Sequence, residues 1–98
     1  MFKLVRDKLP EIDLTMKVHI AHESERAEWL LSKLEEGVGE ISYAENREQL
    51  TEELGDVWEA FKGLVHACDI DMAEVMKVAR HKKKLKGGFD KLVIWDES

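Results

Sequence analysis

The chain has 98 residues, 44% of them hydrophobic and 37% charged, which fits one small domain with a modest core. Its net charge of −6, from 21 acidic and 15 basic residues, argues against non-specific nucleic-acid binding, which needs a basic face. No apolar run approaches the roughly 18 residues of a membrane span, the opening residues hold no uninterrupted apolar signal core, and the lone Cys68 makes no intrachain disulfide, so the expected compartment is the cytoplasm, with no membrane partner.

Residues 1–21 lack helical periodicity. Phe2–Val5 and Lys17–Ala21 read as short strands, and Pro10 is compatible only with a first helical turn. The first sustained helix is expected over 24–43. Ser24 is its N-cap and Glu25 and Glu28 its acidic first turn. Ala27, Leu30, Leu34, Val38 and Ile41 form its apolar stripe, flanked on one side by Trp29, Lys33, Glu36 and Glu40. Gly37 and Gly39 break the helical preference between the two glutamates, each at about 1 kcal/mol against alanine. They mark either a functional site or a close helix contact.

The second helix starts at Asn46, an N-cap with Gln49 placed for a capping box. Leu50, Leu54, Val57, Phe61, Leu64 and Cys68 then alternate spacings of four and three, a sustained bundle seam. At 100° per residue Glu53 falls about 60° and Asp56 about 120° from that seam, on one side of it. The third helix begins after Asp71 and stops at Gly87-Gly88, with Arg80, His81, Lys82, Lys83, Lys84 and Lys86 in its last turns. These lysines either complement the helix dipole or, as with Lys82 and Lys86 on one face, reach phosphate oxygens. Leu92–Trp95 reads as a terminal strand. The fold expected is an all-α antiparallel helical bundle with short N- and C-terminal strands.

Glu36 with Glu40, and Glu53 with Asp56, each lie one helical turn apart. A short connection makes the two helices antiparallel and lets both pairs converge. Converging carboxylates repel unless a hard divalent cation, magnesium or manganese, lies between them. The expectation is therefore a metal site between helices that handles something phosphorylated. Trp29 is placed either to stack a base or to complete the core, and Lys33 either to pair with the acids or to contact phosphate.

The stretch Lys33-Leu34-Glu35-Glu36-Gly37-Val38-Gly39-Glu40, followed by Glu52-Glu53-Leu54-Gly55-Asp56-Val57, resembles the all-α nucleoside triphosphate pyrophosphohydrolases, the MazG-like enzymes related to phosphoribosyl-ATP pyrophosphohydrolase. Lys3-Leu4-Val5-Arg6-Asp7-Lys8-Leu9-Pro10 and Gly87-Gly88-Phe89-Asp90-Lys91 resemble the ends of the house-cleaning branch, so the likeness covers nearly the whole chain. It implies Mg2+, with Mn2+ as the alternative, held by Glu36, Glu40, Glu53 and Asp56. It implies cleavage of a nucleoside triphosphate to monophosphate and pyrophosphate by an activated water, with Glu53 or Glu52 taking the proton. Substrate contacts fall to Lys33, Lys82, Lys86, Arg6, Lys8 and Trp29. The implied assembly is a homodimer or homotetramer. In one place the chain departs from the pattern: the family's second adjacent glutamate falls at Gly37. The alternatives are a phosphoribosyl-ATP pyrophosphohydrolase and a catalytically weak nucleotide-binding or dimerisation module.

Overall fold

The computed structural model describes residues 2–96. Among these, 62% are helical and none lies in a strand. Four α-helices follow in order: α1 (Leu9–Ile12), α2 (Arg26–Ile41), α3 (Arg47–Ala67) and α4 (Met72–Lys86), with a 3-10 turn at Glu23–Glu25 leading into α2. The all-α class agrees with expectation and the terminal strands do not. Phe2–Val5, Lys17–Ala21 and Leu92–Trp95 find no neighbouring strand with which to form a ladder, and a strand without a partner leaves its backbone groups to water.

The local start and stop signals act where a side chain reaches an orphan backbone group. The Asn46 side chain accepts from the Gln49 N–H at 2.8 Å, and the Gln49 side chain accepts in return from the Glu45 N–H at 3.0 Å. Asp71 accepts from the Ala73 N–H at 3.0 Å and opens α4. Gly87, at φ 83°, closes it. Ser24 does not cap α2. It lies inside the 3-10 turn, the N-cap position passes to Glu25, and no side chain caps that end.

Helix α3 ends in a Schellman arrangement. The Asp69 N–H donates to the His66 carbonyl at 3.0 Å and the Ile70 N–H to the Val65 carbonyl at 3.2 Å. Asp69 therefore takes φ 58°, the left-handed position that glycine occupies without a Cβ penalty. Asp69→Gly is expected to raise stability by about 1 kcal/mol. A urea midpoint that does not move upward would contradict this account of the turn.

Helices α2 and α3 form the packed unit. Leu30 lies against Gly63 and Gly37 against Val57, so positions advance along α2 as they retreat along α3, and the pair is antiparallel. The α3 face that meets α2 shares Val57 and Leu64 with the bulky stripe but is rotated away from Leu50 and Leu54. It runs through Glu53, Val57, Ala60, Gly63, Leu64 and Ala67, and the small residues Ala60, Gly63 and Ala67 let the backbones come close. Leu50, Leu54 and Trp58 are left exposed, and so is Cys68, which was expected in the seam. Val38 of α2 also faces solvent.

Among the described residues, buried apolar side chains are few: Ala60 at 6% and Val65 at 8% exposure. Helix α4 touches α3 sparsely and makes no contact with α2. A compact chain of 11.3 kDa exposes about 5,700 Å2, whereas this one exposes 9315 Å2. Its radius of gyration is 17.0 Å against about 13 Å for a compact domain of this length. A single copy thus leaves much of its apolar surface uncovered.

Candidate carboxylate site between α2 and α3

The antiparallel pairing of α2 and α3 puts Glu40 and Glu53 side by side, with Glu36 and Asp56 one turn further along their helices. Glu53 is half-buried because it sits on the face of α3 that meets α2. Its Oε2 is buried without a hydrogen-bond partner. The nearby Glu40 carboxyl raises the Glu53 pKa by hydrogen bonding. Loss of solvation and the charges of Glu40, Asp56 and Glu52 push the same way. The hydrogen bond with Glu40 needs a proton on one of the two carboxyls; with both ionised, each has only acceptors to offer and Oε2 lacks a partner.

The outer acids are held by cations. Glu36, half-buried, is 3.5 Å from Lys33 of its own helix and 3.5 Å from Lys3 of the N-terminal segment. Asp56 accepts a charge-assisted hydrogen bond from Arg6. That bond, with the charges of Asp56 and Glu59, raises the Arg6 pKa further. Glu36 and Asp56 are thus each turned towards a basic side chain, and among the described residues no group of three or more His, Cys, Asp or Glu side chains is gathered to hold a metal ion.

The donor set nevertheless suits a hard cation in kind. All four acids offer oxygen, they lie within adjacent turns of one helix pair, and a buried carboxylate oxygen has no partner of its own. Held by a cation, Glu53 and Glu40 would lose their mutual repulsion.

The remaining residues divide clearly. Lys33 and Arg6 are at the acids. Glu52 lies beside Glu53 and is exposed, and Trp29 is half-buried on α2. Lys8 precedes α1 as its N-cap residue, with no cap hydrogen bond. Lys82 and Lys86 are exposed on α4, and the structure does not bring them to α2. Lys3, by contrast, reaches Glu36 without having been singled out from the sequence. The only available signal was its place in the basic opening motif.

Gly37 has a structural reason. A Cβ there would stand 3.0 Å from Val57 Cγ2 and 3.9 Å from the Val57 backbone, so the glycine is what allows α2 and α3 to approach. A Cβ on Gly39 would meet nothing within 4 Å. Position 37 is therefore part of the helix contact in this chain.

Two clefts lie away from the acids. One of about 310 Å3 is lined by Glu23, Ser24, Arg26, Ala27, His66, Ala67 and Asp69, where the start of α2 meets the end of α3. The other, of about 360 Å3, sits under the α3–α4 turn, between Lys62, Val65 and Met72. No helix among the described residues is long and apolar enough to cross a membrane. No protein-family model matches the chain, and no curated protein or solved structure matches it either.

Proposed function

We propose that this chain is a magnesium-dependent nucleoside triphosphate pyrophosphohydrolase that yields a nucleoside monophosphate and pyrophosphate in cytoplasmic nucleotide-pool house-cleaning. The observation that carries the proposal is the buried, partnerless Glu53 Oε2 beside Glu40, flanked by Asp56 and Glu36 on the adjacent turns. A helix pair that keeps Glu53 half-buried beside the exposed Glu40 accepts a cost that a cation would relieve.

When bound, magnesium supplies neutralisation of phosphate charge and activation of a water. The chain's own groups do the rest. Glu53, whose affinity for a proton is already raised by its neighbours, takes the proton from the attacking water, and Glu52 is the next carboxylate in sequence able to do so. Lys33, half-buried beside Glu36, offers a fixed positive charge to phosphate oxygens, as does Arg6. Trp29, on the same flank of α2, provides a face for the base.

The assembly belongs to the proposal. The exposed stripe of α3 and the sparsely packed α4 call for a second copy, in a homodimer or homotetramer. Sedimentation equilibrium should return two or four times 11.3 kDa. A monomeric mass at micromolar concentration would count against this part.

A specific observation favours a second reading. The two outer acids face basic side chains and no donor group is assembled, which suits a catalytically weak nucleotide-binding module. Pyrophosphate release from a panel of ribo- and deoxyribonucleoside triphosphates, with magnesium and with chelator, separates the two. Magnesium-dependent release from at least one nucleotide supports the enzyme. Nucleotide binding without release would leave the module.

A further inference from the structure

We infer that α4 is the docking element between two copies of this chain. The basic α4 of one protomer lies on the exposed stripe of Leu50, Leu54 and Trp58 on its partner's α3, and the partner returns the same contact. This rests on the assembly given above and not on the chemistry proposed for the carboxylates.

In its own copy α4 has almost no seat. Met72 and Val75, in its first turn, are half-buried, and every residue from 76 to 96 is exposed. The helix does not reach α2. Val78 at 56% and Leu85 at 68% exposure share one of its faces, two turns apart. Its charge comes from six basic residues and one acid, and none of the six forms an ion pair with another described residue. Arg80 with Lys84, and Lys82 with Lys86, stand one turn apart on the helix and repel. A helix of 15 residues is marginal by itself in water. This one therefore needs a surface that is apolar and set in acidic surroundings.

The open face of α3 is such a surface. Leu50, Leu54 and Trp58, at 36%, 50% and 53% exposure, recur at every fourth position over two turns, a span that matches Val78 to Leu85. Helix α3 carries five acids against two basic residues, and α2 and α3 together carry nine against four. The two faces are thus complementary in charge and alike in apolar length. Exchange between two copies covers both at once and closes as a twofold pair. The area suffices. Each copy exposes about 3,600 Å2 beyond a compact chain of its mass, well above the roughly 800 Å2 per partner of a standard interface. A nucleic acid would meet the lysines of α4 but not its apolar line, and the net charge of −6 opposes one.

The test uses the full chain and two readouts. Sedimentation equilibrium compares the wild type with Val78→Glu/Leu85→Glu and with Leu54→Glu, all at exposed positions outside the α2–α3 contact. Each variant should weaken association by about 10- to 100-fold, since the docked face would bury a charge without a partner. NMR of wild type mixed from 13C-labelled and unlabelled chains supplies the second readout. Filtered NOEs should join the Trp58 indole of one copy to the Val78 and Leu85 methyls of the other. An oligomeric wild type without those NOEs, or a Val78→Glu/Leu85→Glu protein that associates as tightly as the wild type, would overturn the exchange and leave the assembly to another face. A monomeric wild type would overturn the exchange and the assembly together, and retention of duplex DNA by that monomer would give α4 to nucleic acid instead.

Discussion

Gly37→Glu lowers stability by about 2–4 kcal/mol, the largest effect expected of any single substitution in the α2–α3 hairpin. A Cβ at 37 already stands 3.0 Å from Val57 Cγ2 and within 3.9 Å of the Val57 backbone, in a position that is buried. Overpacking of this kind costs about 1–3 kcal/mol, and the carboxylate adds a charge with no partner of opposite sign beside acids that already repel. The gain in helix preference over glycine returns only about 1 kcal/mol. A glutamate at position 37 should therefore loosen the helix pair. Gly39→Ala is the control. Open space surrounds that position, and stability should rise by up to about 1 kcal/mol. Urea unfolding of both variants checks the pair. Equal stability of Gly37→Glu and the wild type would mean that α2 and α3 do not approach as described.

Glu53→Gln separates stability from activity, with opposite signs. The Glu53 pKa is raised in the folded protein above its ordinary value of 4.5. The folded state therefore binds more protons than the unfolded state above that value, and the charged carboxylate weakens the fold as pH rises through the raised pKa. Its unfavourable contribution is absent below the ordinary carboxylate value and grows as pH rises through the raised pKa. Glutamine removes the charge and one source of repulsion with Glu40. The variant, assayed with chelator, should then melt above the wild type at pH values above the raised Glu53 pKa, and the gap should close as pH falls below about 4.5. The same change removes the inner donor and the proton acceptor. Magnesium-dependent pyrophosphate release should fall by about 10²-fold or more. A variant that melts lower at those pH values, or keeps its turnover, would place the functional carboxylate elsewhere.

How much of this was legible in the sequence depends on the range of the interaction. Asn46, Asp71 and Gly87 act on backbone groups a few residues away, so their helix ends could be read directly. Ser24 fails because the chain enters α2 through a 3-10 turn that shifts the cap to Glu25. The heptad-like stripe of α3 is real as a pattern, but periodicity reports that residues share a face and not what the face meets. The small residues Gly37, Ala60 and Gly63 select a rotated contact and leave Leu50, Leu54 and Trp58 open. That rotation moves Glu53 from a flank into the contact itself. Leu92–Trp95 has strand-like composition, yet strand formation requires a partner that local sequence does not reveal. The ion pairs of Lys3 and Arg6 with Glu36 and Asp56 span the chain, and no local pattern signals which acid each would meet.

Binding of Mn2+ to the resting protein, followed by the loss of the free-ion signal in electron paramagnetic resonance, tests the carboxylate site most directly. The wild type should remove Mn2+ from solution saturably and in competition with Mg2+, and Glu36→Gln/Glu53→Gln should not, while its circular dichroism stays helical. Equal uptake by the two proteins, or none by the wild type, would contradict a cation site between α2 and α3.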